Sequence, residues 1–202
     1  MTSNQAKPRS KQQRKAETHD RILKEAAAVI RIEGADRASV SAIMARAGLT
    51  VGGFYAHFTS KDDMLANAVD YMFLDRYALF LEHLDDPDPE AILSRFIDTY
   101  LSMRHRDATE RGCPIPALAG EISRMAGPVR EAFTRGIDNL ESAVRGLLQR
   151  LERDGAEDLA RSLIAEMTGA ISLARAQPDP ARADAVLAAS RELARQRAGI
   201  GR

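Results

Sequence analysis

The sequence predicts an all-α protein in two parts: a three-helix head built on a helix-turn-helix, and a six-helix body. Three observations lead there. Apolar residues recur at steps of three and four along most of the chain, and no stretch alternates as a strand would. Aromatic content is only 5% of 202 residues, while Ala, Leu, Arg and Glu are plentiful, a helix-favouring composition. The stretch Ser39 to Lys61, SVSAIMARAGLTVGGFYAHFTSK, reads as two short helices joined by a tight turn and feeding a longer one.

The elements follow in order. Residues 1–16 carry Lys7, Arg9, Lys11, Arg14 and Lys15 and no acid, and read as a solvated basic arm. Ile22, Ala26, Val29 and Ile30 form one stripe of a first helix over Thr18 to Glu33, ended by Gly34. Val40, Ile43, Met44 and Ala47 make the second, with Gly48 at its left-handed end and Leu49 at the corner. Thr50 is placed to cap the third helix, whose Phe54 and Phe58 face the core while Val51, Gly52, Tyr55 and Ala56 face out, with His57 at the edge. Ser60 and Asp63 resemble a capping box for a fourth helix running to about Leu84. The run Asp85-Asp86-Pro87-Asp88-Pro89 breaks it and caps a fifth, over 89–104, with a wide apolar face. Cys113-Pro114 opens a sixth carrying Ile115, Leu118, Ile122 and Met125. The seventh, 128–153, has a seam of Phe133, Ile137, Leu140, Val144, Leu147 and Leu151. The eighth, 156–176, carries Leu159, Leu163, Met167, Ala170 and Ala174. Pro178-Asp179-Pro180 turns the chain into a ninth, with Val186, Leu187, Leu193 and Ala194.

Charge is uneven. Residues 1–61 carry a net +6 and residues 62–202 a net −6, so a basic head sits on an acidic body. That asymmetry points to a polyanion held at one end. Domain boundaries are expected at 1–16 for the arm, 17–61 for the head and 62–202 for the body. One cysteine excludes an internal disulfide, and no apolar run reaches the ~18 residues of a membrane span. The start has charge without an apolar core, unlike a secretory signal, and a cytoplasmic location is expected. His83, His105, Cys113 and Glu121 match no metal-ligand spacing, and no catalytic triad order or nucleotide loop appears. No enzyme activity, metal or cofactor is expected.

The run from Ala47 to Lys61, AGLTVGGFYAHFTSK, resembles the DNA-binding signature of the tetracycline-repressor family. It has the turn glycine, the Thr cap, a glycine two residues on, the aromatic Tyr55-x-His57-Phe58, and Ser60-Lys61 opening the next helix. Val51 and Gly53 depart from it, standing where polar residues are frequent. Val51 and Ala56 can touch thymine methyls but read no base edge. Thr50 and Tyr55, with Arg46 from the preceding helix, are expected to supply the polar contacts. Tyr55, His57 and Lys61 match family positions that hold phosphates, and Gly52 lets the backbone approach the groove. The resemblance implies a homodimeric repressor that binds double-stranded operator DNA and is released by a small-molecule effector. It places the dimer on the eighth and ninth helices, at Gly169, Ala170, Ala174, Val186 and Leu193. It places the ligand pocket in the body, lined by Tyr71, Tyr100, Met103, Cys113, Leu118, Met125, Phe133 and Met167, which suits a largely apolar ligand. Cys113 at a helix start is expected to have a lowered thiol pKa, and its position resembles that of a cysteine in electrophile- or oxidant-sensing members. A constitutive DNA-binding protein without ligand and a helical protein–protein adaptor are the alternatives.

Overall fold

The structure, a computed structural model, describes residues 10–201. Among these residues every regular element is helical. Helix α1 spans Lys11–Glu33, α2 Val40–Arg46, α3 Lys61–Glu82, α4 Pro89–Tyr100, α5 Met103–Asp107, α6 Pro114–Leu118, α7 Gly127–Arg150, α8 Ala156–Ala176 and α9 Pro180–Ala198. Short 3-10 turns cover Val51–Ala56, Thr109–Arg111 and Ile122–Arg124. The expected fourth helix is therefore α3, because the expected third is the first of these 3-10 turns.

Helix α1 begins seven residues before Thr18. Ser10 Oγ accepts from the Gln13 amide at 3.1 Å while the Ser10 amide donates to Gln13 Oε1 at 2.8 Å, a reciprocal cap. Residues 11–16 of the expected arm are thus the exposed first turns of α1. Lys7 and Arg9 lie outside the described residues. Gly34 ends the helix at φ 83 and ψ 162, a backbone region essentially closed to other residues.

Capping also decides the other boundaries. Ser60 Oγ accepts from the Asp63 amide at 3.0 Å and starts α3, but the Asp63 carboxylate turns to Thr59 instead of closing the box on Ser60. Asp88 accepts from the Ala91 amide at 2.9 Å with Pro89 at the first turn of α4. The expected helix over 89–104 stops at Tyr100, because Ser102 Oγ accepts from the His105 amide at 3.2 Å and starts α5. The expected sixth helix is broken after Leu118 and resumes only as the 3-10 turn Ile122–Arg124.

Helix α3 lies along α7, α7 also packs on α8, and α8 on α9. The seam of α7 is buried at Phe133, Leu140, Val144 and Leu147 and half-buried at Ile137 and Leu151. Gly136 lets α7 lie directly on α3, since a Cβ there would overlap the Phe73 ring. One contiguous apolar cluster runs from Ile22, Ile43 and Phe58 in the head to Leu187 and Ala194 in the body. No helix among the described residues is long and apolar enough to cross a membrane.

Candidate nucleic-acid interface and the clefts of the body

The turn between α2 and the Val51–Ala56 segment follows the residues that predict it. Gly48 has φ 69, and the Leu49 amide donates to the Met44 carbonyl at 2.9 Å. Beyond it the chain tightens to 3-10 geometry, with the Gly53 amide on the Thr50 carbonyl at 3.0 Å and the His57 amide on the Phe54 carbonyl at 2.9 Å. The physical reason is local. Gly52 and Gly53 each cost an α-helix roughly 1 kcal/mol against Ala, and the six-residue segment is held by its core anchors Phe54 and Phe58 instead. The Thr50 side chain makes no cap bond here, contrary to expectation.

The outer face is open. Val51 is 49% and Tyr55 76% exposed, and a Cβ added at Gly52 would meet nothing within 4 Å. Gly53 lies near Met44 at an ordinary contact distance, so packing does not require a glycine there. Arg46 Nε donates to Glu25 Oε2 at 3.0 Å, so α1 holds this guanidinium at the edge of the face. Lys61 Nζ donates to the Asp36 carbonyl at 3.2 Å. His57 is half-buried, with its Nδ1 enclosed and without a partner, and its ring 5.9 Å from that of His19. Burial, and then the neighbouring His19 and Lys15, lower its pKa and favour the neutral ring. The Thr59 amide and hydroxyl both donate to Asp63 Oδ2, at 2.8 and 2.9 Å, and these bonds lower the Asp63 pKa and fix the entry to α3.

Head and body are joined by more than α3. Arg31 of α1 is buried and donates to the Glu110 carbonyl at 3.1 Å and the Met72 carbonyl at 3.2 Å, with Asp75 at 3.8 Å. The Ala35 amide, just past α1, donates to Glu121 Oε1 at 2.9 Å. The loop from Glu110 to Glu121 therefore clasps the end of α1.

The residues expected to line a ligand pocket divide. Tyr100, Cys113, Leu118, Phe133 and Met167 are buried core, and Met103 and Met125 pack half-buried against it. Tyr71 lines a polar cleft with Arg31, Arg46 and Asp75. At the centre of the core, Tyr77 Oη donates to Cys113 Sγ at 2.9 Å and the Ile115 amide donates to the same sulfur at 3.3 Å. His105 Nε2 accepts from the Cys113 amide at 3.0 Å, and His105 Nδ1 meets the Tyr100 carbonyl at 2.7 Å. The Cys113 thiol is fully enclosed and burial raises its pKa, against the expected lowering; α6, at five residues, offers little dipole to oppose that. His83 and Glu121 are elsewhere: His83 pairs with Asp86 at 2.9 Å.

The structure opens two apolar clefts that sequence reasoning missed. One of about 100 Å³ lies between α3 and α4, over Tyr77, Phe80 and Phe96 with Arg76 and Arg95 at its side. Another of about 120 Å³ lies between α3 and α7 beside Phe73, Leu74 and Gly136. The signal for the first was present, since Arg76-Leu79-Phe80-His83 and Ile92-Arg95-Phe96-Thr99 repeat one spacing on facing helices.

On α8 and α9, Gly169 and Leu193 are exposed, Val186 is half-buried, and Leu173 is 61% exposed. Ala170 and Ala174 are buried against the chain's own core and present no surface to a partner. Each directly follows an exposed residue, Gly169 and Leu173, about 100° further round α8.

Two family descriptions match the chain: "Bacterial regulatory proteins, tetR family" over residues 22–68, and "Tetracyclin repressor-like, C-terminal domain" over residues 89–190. A relative from Mycobacterium tuberculosis, described as an HTH-type transcriptional regulator, is 29% identical over 170 residues, covering 79% of this chain and 85% of its own. Among solved structures, a TetR transcriptional regulator from Chloroflexus aurantiacus is 28% identical with a TM-score of 0.75, covering 92% of this chain and 94% of its own. The reduced form of NemR from E. coli shares the fold at a TM-score of 0.79 and 17% identity, over 89% of this chain and 96% of its own.

Proposed function

The chain belongs to the tetracycline-repressor family of DNA-binding transcriptional regulators, and from that footing we propose that it acts as a homodimeric repressor released from its operator by a small, largely apolar ligand. The observation that carries the DNA-contacting surface is the outward face of the 3-10 segment, where Val51, Gly52 and Tyr55 stand clear of the core. In this reading Thr50, Val51 and Gly52 enter the major groove, and Tyr55, His57 and Lys61 hold phosphates on either side. Arg46 exchanges its Glu25 partner for DNA. Direct base readout is sparse on such a face, so operator choice leans on DNA shape.

Footprinting on DNA flanking the protein's own gene, followed by binding measured against salt, tests the assignment. Lys61→Ala should weaken operator and non-specific DNA by similar factors and reduce the salt slope by about one per subunit. An unchanged slope removes Lys61 from the phosphate contacts. Transcription in vitro from the footprinted promoter must fall as protein is added; a rise would make the protein an activator.

A further inference from the structure

The cleft between α3 and α4 has a floor of three rings. Phe80 and Phe96 stack at 4.3 Å between centroids, and Tyr77 lies 6.2 Å from Phe96. Its lining includes Arg76 and Arg95 and no carboxylate. His83 stands at the rim but is already paired with Asp86 at 2.9 Å.

The two arginines are unusual in their surroundings. The body carries more acids than bases, and many of its guanidiniums are taken: Arg135 by Asp70, Arg161 by Glu141 and Glu157, Arg195 by Asp98. Among the described residues neither Arg76 nor Arg95 has a carboxylate within 4.0 Å. Arg76 is half-buried, its Nε is enclosed without a hydrogen-bond partner, and its guanidinium lies 5.7 Å over the Tyr77 ring. A cation partly out of water beside an apolar cleft favours an anion there, and a guanidinium matches a carboxylate with two parallel bonds. A neutral apolar guest would leave that charge unmatched. Size narrows the guest further. About 100 Å³ is well below the ~300–1,000 Å³ of drug-sized pockets and nearer the ~150 Å³ that holds benzene. One ring or a short acyl chain fits.

We propose that the α3–α4 cleft is the effector-recognition site and takes a small carboxylate with an apolar body, the headgroup at Arg76 and Arg95 and the ring or chain on Tyr77, Phe80 and Phe96. The effector role rests on the repressor reading above; the binding does not. Tyr77 places the guest one hydrogen bond from Cys113, and so at the start of the loop that reaches Glu121 and the end of α1.

The test is direct binding of benzoate, hexanoate and the uncharged benzamide to the full chain, by ligand-observed NMR titration at millimolar concentration. One or both carboxylates should bind, benzamide at least about tenfold more weakly. The preferred carboxylate tells an aromatic from an aliphatic source. Arg95→Gln, at an exposed position where folding is retained, should weaken the carboxylate about tenfold and leave benzamide unchanged; Arg76→Gln should do the same. The proposal is overturned if neither carboxylate binds, if benzamide binds as well, or if Arg95→Gln changes nothing. A carboxylate that binds should also raise the protein concentration needed for the footprint, and binding without that shift overturns the effector role. The footprint itself is read without the probes, so a failed repressor reading is told apart from a failed cleft.

Discussion

At the scale of single residues, His105 carries the clearest electrostatic consequence. Its Nε2 accepts a backbone N–H and its Nδ1 lies on a carbonyl, so the bonds define one neutral tautomer. A second proton would point at the Cys113 amide. Burial, and then Arg76 and Arg175, push its pKa down to about 3. The unfolded chain takes up that proton below about pH 6.5. Stability from this group is therefore complete above pH 6.5 and is lost progressively as pH falls towards 3, at about 1.4 kcal/mol per pH unit. Urea unfolding of the native chain and of His105→Gln at pH 7 and pH 5 measures it. The gap between them should narrow by about 2 kcal/mol at the lower pH; a gap that does not change with pH assigns the acid sensitivity to other groups. The same centre explains Cys113. A helix start is visible in sequence, but the burial that raises the thiol pKa, against the hydrogen bonds from Tyr100 and Tyr77 that lower it, comes from segments distant in the chain.

At the scale of elements, the loop between α5 and α7 does more than connect. Glu121 holds the Ala35 amide beside Gly34, whose φ of 83 favours glycine and where a Cβ would also stand 3.0 Å from the carboxylate oxygen. The body is thus linked to α1 through Glu121 as well as through α3. Glu121→Ala should speed hydrogen exchange at residues 34–36 by about tenfold and destabilise the chain by about 1–3 kcal/mol. Glu121→Gln, which keeps an acceptor, should largely preserve protection. Equal protection in the native chain and both variants would mean the clasp is made by Arg31 alone. The element boundaries teach a related lesson. The S-x-x-Q of Ser10 and Gln13 marked the true start of α1, but no apolar stripe accompanies it before Ile22, so periodicity alone begins the helix late. Ser102 divided α4 from α5 because a local hydroxyl bond outweighed an apolar pattern that ran through it.

At the scale of the whole molecule, the two heads of the proposed homodimer can occupy successive major grooves only if its interface sets them ~34–36 Å apart or a multiple of that. Leu173 on α8 and Leu193 on α9 are large apolar side chains, 61% and 52% exposed, on two helices that pack together. Leu173→Glu with Leu193→Glu should therefore give a folded monomer in sedimentation with sharply reduced operator affinity, since one head reaches one half-site. Ala170→Glu, by contrast, buries a carboxylate in the chain's own core and should lower thermal stability instead. A double Leu variant that remains a dimer of normal affinity would place the interface on another face.

The all-α class, the helix-turn-helix and the outward residues Val51, Gly52 and Tyr55 were legible because they depend on local terms: periodicity, a turn glycine, and which side of a short helix faces its neighbours. The same reasoning could find Met103, Cys113 and Met167 but could not say whether they line a space or fill it, because a cavity is a property of several segments packed together. The burial of Ala170 and the exposure of Leu173 were not legible for a like reason. Both lie on the same helix, and only the packing of α8 against α7 and α9 turns the small residues inward and leaves the leucine in water. Tertiary structure alone brought Arg76 and Arg95 to one cleft, and it alone pinned Arg31 and Ala35 to a loop some eighty residues further along the chain.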